Sequence, residues 1–294
     1  MAQTLDQIKR LTITALLNDE VLMALLVLKG GNAIDLLYDL SNRGSIDIDF
    51  SMEKDFTEKE IGYVRNQIDY ILNSEFNKHG LQVIDVRFID KPKNIREEVK
   101  DFWGGYKIYF KVISSERFSA LEGDVVKCVR EAIPISGNNS TVFEVDISKY
   151  EYVADKRAKD FEGTIVYVYS PEMLALEKYR ALCQQNPSYR DIVYSMTSKS
   201  RARDFYDIHN LVSSFNLKFD SDEDLGILTS IFDAKKVPLD YLLSLNDQYE
   251  LHRQSWDSVL DTIDVREKPK EFDYYFQFVL DIAGNLHSKA TGKK

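Results

Sequence analysis

Asp47 and Asp49, separated by a single isoleucine, are the residues whose spacing most readily does chemistry. Residues i and i+2 of a strand point to the same side. A strand over Ser45–Ser51 would turn both carboxylates to one face and send Ile46, Ile48 and Phe50 into the core. Two ionised carboxylates held close repel, and a cation between them relieves the repulsion. Hard oxygen ligands favour Mg²⁺, which keeps several waters and also takes substrate phosphate oxygens. A bare Asp-x-Asp is more often the solvated face of an ordinary strand, because short motifs have many false positives.

Gly30 and Gly31 change that balance. They let the backbone bend sharply and approach a ligand closely. A helix starting near Asn32 would offer free N–H groups and a positive dipole end to an anion. A plain strand-to-helix turn is the competing reading. Arg43 has a planar fork suited to phosphate oxygens, or is simply a loop arginine. A strand over Thr141–Lys149 would turn Phe143, Val145 and Ile147 one way and Glu144, Asp146 and Ser148 the other. In the helix expected over Pro171–Gln185, Lys178 falls among Leu174, Ala175, Ala181 and Leu182. A lysine there either runs its stem along the core and surfaces its head, or reaches into a site. On a helix over Ser200–Phe215, Asp204, Asp207, Ile208 and Leu211 share a side. Asp207 is placed to hold Lys178, and Asp204 to pair with a neighbouring basic residue.

Four segments together resemble the AbiEii/AbiGii toxin family of the DNA-polymerase-β-like nucleotidyltransferase superfamily. They are Lys29-Gly30-Gly31-Asn32-Ala33, then Arg43 through Phe50, then Leu174 through Ala181, then Arg201 through Ile208. The family usually has Thr or Ser where Asn32 stands; an amide can also donate a hydrogen bond. The resemblance implies an α/β (α+β) fold: a mixed sheet flanked by helices, with a mainly helical C-terminal lobe. It implies metal ligation by Asp47, Asp49 and Asp146, with Glu144 as the alternative third carboxylate. Two Mg²⁺ ions are expected, with Mn²⁺ as a substitute. Asp47, Asp49, Asp146, Lys178 and Asp207 take the catalytic roles. Lys29, Gly30, Gly31, Asn32, Arg43, Ser45 and Asp204 surround the nucleotide. The implied reaction moves NMP from NTP to an acceptor hydroxyl, with tRNA preferred as acceptor. The setting is a toxin–antitoxin or phage-defence (abortive infection) system, and the partner a cognate antitoxin. A small-molecule or protein acceptor stays open, as does a catalytically silent interaction protein of the same fold.

The rest of the chain must position these groups. Its 294 residues are 44% hydrophobic and 29% charged, ordinary for a globular protein. With 38 Lys and Arg against 48 Asp and Glu, the formal charge is −10. That argues against a broad nucleic-acid coat and leaves local patches at Lys91–Lys100, Lys156–Lys159 and Lys199–Arg203. Cys128 and Cys183 lack metal-type spacing and fit a reducing cytoplasm. No signal peptide is evident at the start, and the apolar run Val21–Leu28 is too short for a bilayer. Helices are predicted over Leu5–Leu17, Asn32–Leu40 and Thr57–His79, the last with a Thr57/Glu60 capping box. Strands are predicted over Leu81–Ile89, Tyr106–Ile113 and Ile165–Tyr169. Aromatic-faced helices are predicted over Val237–Ile263 and Glu271–Leu286. A catalytic domain over 1–155 and a mainly helical C-terminal domain over 156–294, completing the active-site cleft, are the expected division.

Overall fold

The computed structural model describes residues 2–40, 46–135 and 139–292. Arg43 and Ser45 lie outside the described residues.

The chain opens with α1 (Ala2–Leu17), α2 (Glu20–Leu25), β1 (Val27–Lys29), α3 (Gly30–Tyr38), β2 (Ile48–Ser51) and α4 (Glu58–Phe76). There follow β3 (Leu81–Lys91), β4 (Gly105–Ser114), α5 (Ser115–Ala120), α6 (Val125–Arg130), β5 (Phe143–Ser148), β6 (Arg157–Phe161) and β7 (Thr164–Val168). The remainder is helical: α7 (Pro171–Cys183), α8 (Ala202–Phe215), α9 (Asp222–Asp233), α10 (Tyr249–Arg253), α11 (Trp256–Leu260) and α12 (Phe272–Thr291).

All seven strands form one mixed sheet in the order β3-β4-β5-β2-β1-β7-β6. β2 runs parallel to β5 and β1 parallel to β7; the other neighbours are antiparallel. Alternation decides the faces. Phe143, Val145 and Ile147 are buried, while Glu144, Asp146 and Ser148 look outward from the core. α4 begins at the expected capping box, with Thr57 accepting from the Glu60 N–H, and passes into a 3₁₀ turn over Asn77–His79 that ends where Gly80 takes a left-handed φ of 69°. It packs against α1 and β3. α7 starts at Ser170, whose hydroxyl accepts from the Met173 N–H, with Pro171 in the first turn. α8 and α9 pack on it, and α12 covers both.

Three expectations need correction. The boundary at 155/156 falls inside the sheet, because the hairpin β6–β7 joins the same sheet through β1. Ile46 is 43% exposed: β2 starts only at Ile48, so the two-residue alternation does not reach it. The helices expected over Val237–Ile263 are broken into 3₁₀ turns and two five-residue helices. Here the Ser244 and Ser255 hydroxyls donate to the carbonyls of Tyr241 and His252, local bonds that compete with a continuous helix.

Candidate active site

The sheet register lays four charged residues side by side. Lys29 of β1 pairs with Asp49 of β2, Asp49 with Asp146 of β5, and Asp146 with Lys107 of β4. Asp47 lies just before β2, two residues ahead of Asp49, and Glu144 lies two before Asp146 on β5. Asn32 fixes this arrangement from below. It is fully buried, and its Nδ2 donates to the Asp47 carbonyl at 2.6 Å. The amide expected to face a phosphate is therefore used to hold the Asp47 backbone.

Gly30 carries the turn. Its φ is +72°, and a Cβ there would stand 2.5 Å from Asp49 Oδ2. Only glycine lets the backbone bend this way with a carboxylate so close. α3 starts at this glycine, two residues earlier than predicted, and no side chain caps its first turn. Its N-terminus thus meets the cleft beside the carboxylates, where Gly30 and Gly31 line the wall.

Charge is crowded here. Burial, opposed by Lys29 and reinforced by Asp146, Glu177 and Asp47, pushes Asp49 up to about 7. Asp47 is also raised, by burial and by Glu144 and Asp146, against Lys107 and Arg203. Asp146 is engaged by Lys91 at 2.9 Å and Lys107 at 3.2 Å, and Glu144 by Lys107 at 2.7 Å. Asp146 faces these lysines, and among the described residues no three His, Cys, Asp or Glu side chains are gathered as a ready metal cluster. The donor types and their side-by-side placement nonetheless suit a hard divalent cation.

A cleft of about 910 Å³ separates this face from the helices. On the far wall Lys178 is buried between Asp204 at 2.9 Å and Asp207 at 2.8 Å. Asp204 also takes the Arg201 guanidinium, so it serves both the neighbouring arginine and Lys178. Arg201 and Lys178 hold the Asp204 carboxyl below its usual range despite burial. Lys178, Arg201, Arg203 and Asp204 line the cleft; Asp207 supports Lys178 from behind.

The floor holds residues that sequence reasoning missed. Buried Glu151 meets Lys29 at 3.4 Å, Arg180 at 3.5 Å and Lys235 at 3.5 Å. Glu177 joins Arg180 at 2.7 Å and Lys29 at 3.6 Å. Burial works against the Glu151 carboxylate, but the three cations bring it down to about 2. Burial lowers Lys29, yet Glu151 and Glu177 outweigh it and hold the ammonium above its usual value. Lys235 also donates to the Lys149 carbonyl at 2.6 Å and the Phe102 carbonyl at 3.2 Å, so it staples the helical lobe to the sheet. Glu177 and Arg180 sit three apart inside the Lys178 segment, and that spacing was an available signal. Lys235 offered none.

A family model described as nucleotidyl transferase AbiEii toxin, type IV TA system, matches residues 13–278. Among solved structures, a protein from H. pylori named as a nucleotidyltransferase aligns at 16% identity. That alignment covers 100% of this chain and 97% of the other, with a TM-score of 0.46. An antigenic nucleotidyltransferase-like protein from Paracoccidioides brasiliensis aligns at 15% identity over 83% of this chain and 93% of its own, with a TM-score of 0.35. No curated protein matches.

Proposed function

Since the chain belongs to the AbiEii nucleotidyl transferase toxin family, we propose that it transfers NMP from NTP to an acceptor hydroxyl on RNA, with tRNA the preferred acceptor. The observation that carries this reading is the in-register pair Asp49–Asp146, with Lys29 on one side and the uncapped turn at Gly30 against Asp49.

In this reaction the acceptor oxygen attacks the α-phosphorus, the bond to the β-phosphate oxygen breaks, and pyrophosphate leaves. Asp47, Asp49 and Asp146 would hold Mg²⁺, which when bound lowers the pKa of the acceptor hydroxyl and neutralises the phosphates. The first turn of α3 presents backbone N–H groups to phosphate oxygens. Lys178 offers positive charge to the transferring group from the opposite wall. Asp204 and Asp207 fix its ammonium, so no reorganisation is needed when charge develops. Arg201 and Arg203 extend that wall. Lys91 and Lys107 pair with Asp146 in this structure, and Asp146 would have to turn from them to join a metal site.

No helix among the described residues is long and apolar enough to cross a membrane. The family's toxin–antitoxin setting supports a cognate antitoxin as partner. The test is incubation with each labelled NTP, Mg²⁺ and total RNA, beside an Asp47→Ala/Asp49→Ala double variant. Label in RNA from the intact protein alone supports the reading. Label in protein or in small molecules redirects the acceptor, and no transfer with any NTP overturns it.

A further inference from the structure

One contact at the rim of the cleft joins its two walls. Arg96, in the loop between β3 and β4, lays its guanidinium over the Tyr194 ring, 4.2 Å from the centroid. Nearby stretches of both segments line the cleft: Lys91, Pro92 and Gly104 on the sheet side, Ser195 and Met196 on the helical side. Ile95 sits against Gly104, with its Cδ1 3.2 Å from where a Cβ there would stand, and this keeps Arg96 at the rim. Tyr194 is 72% exposed. One guanidinium lies over the ring, and most of the side chain remains exposed.

The loop that presents Tyr194 is pinned. Arg190 Nε donates to the Met196 carbonyl at 3.1 Å, and the Ser198 hydroxyl donates to the Gln185 carbonyl at 2.8 Å. A fixed aromatic face loses little freedom when a ligand stacks on it.

We propose that Arg96 and Tyr194 form a stacking platform for an unpaired base of a single-stranded RNA acceptor, beside the carboxylate row. This rests on the RNA-directed reading above. Every base has a π face, so an aromatic ring holds single strands without reading sequence, and an arginine adds cation–π attraction. A formal charge of −10 argues against a broad cationic coat for a phosphate backbone. A local stacking site with the Arg96 cation already on the ring answers that shortage.

The test titrates a short single-stranded RNA into the full chain without NTP, and a duplex of equal length as comparison. Tyr194→Trp supplies a fluorescence reporter and should bind with a quench. Tyr194→Ala should weaken single-strand binding roughly ten- to a hundredfold, and Arg96→Gln should weaken it less. In labelling assays the loss should fall on the KM for RNA. Calorimetry with NTP reports whether the fold has been disturbed. Equal binding by the original protein and Tyr194→Ala overturns the platform, as does equal affinity for single strand and duplex. If RNA stacks at Tyr194 but no NTP is ever transferred to it, the platform stands and the transfer reading falls.

Discussion

Asp49 and Asp146 are register partners on parallel neighbouring strands, and this places two carboxylates from distant parts of the chain on one rung of the sheet. Ninety-seven residues apart in numbering, they share a face because β5 joins β2 directly. Asp146→Asn keeps the size and the strand while removing one charge. Lys107 retains Glu144 as a partner at 2.7 Å, so the fold should survive. Transfer of labelled nucleotide should fall by at least about a hundredfold, the scale of losing one charge-stabilising group. An unchanged rate in a folded Asp146→Asn variant would remove the carboxylate row from the chemistry.

Gly30 and Gly62 make opposite predictions. At Gly30 a methyl group would meet Asp49 Oδ2 at 2.5 Å on a backbone with φ of +72°. Gly30→Ala should cost about 1–3 kcal/mol in strain, before any effect on activity. Gly62 lies within α4 with nothing within 4 Å of its missing Cβ. Gly62→Ala should stabilise by roughly 0.5–1 kcal/mol, because the helix favours alanine. Urea denaturation of both variants checks the pair, and similar shifts would contradict the geometry at Gly30.

Much of this site was legible in the sequence because its residues recur at secondary-structure spacing. Glu144/Asp146 follow the two-residue period of β5, Asp49 lies in β2 with Asp47 just before it, and Lys178 stood out as a charge on an apolar helix stripe. Ser170-Pro171 and Thr57/Glu60 marked helix starts by local bonds alone. What was hidden depends on tertiary contact. Lys235 reaches Glu151 from eighty-four positions away, and nothing local to either residue signals the pairing. Lys107 meets Asp146 only through the β4–β5 register. The hairpin β6–β7 was half seen: Ile165–Tyr169 alternates, whereas Arg157–Phe161 is a polar edge strand with a weak pattern. Asn32 shows a different limit, since the residue type suggested a ligand contact and the fold uses it to hold a backbone carbonyl.

Lys178 sits between two buried carboxylates, so its partners are also structural. Asp207→Ala should destabilise the protein by about 3–5 kcal/mol, the scale for breaking a buried pair from one side. Lys178→Met removes the cation but keeps the length of the side chain. It should abolish nucleotide transfer and weaken NTP binding measured by calorimetry. Full NTP affinity and transfer in Lys178→Met would confine this lysine to holding α7 against α8.

His252 gives the chain an acid-sensitive element. It is fully buried, its Nδ1 accepts from the Arg201 N–H at 3.1 Å, and its Nε2 meets Gln248 Oε1 at 3.3 Å. That pattern needs the neutral ring. Burial lowers its pKa from 6.5 to about 4, with Asp204 opposing. Below pH 6.5 the unfolded chain binds a proton at this residue that the folded chain does not. The stabilisation is complete above 6.5 and is lost as the pH falls toward 4, for about 3 kcal/mol in all. His252→Asn can place its Oδ1 near Nδ1 and keep the bond to Arg201 without titrating. The difference in unfolding free energy between the original protein and His252→Asn, measured in urea at pH 7, 6, 5 and 4, should shrink steadily as pH falls. Parallel curves would show that His252 keeps an ordinary pKa in the folded state.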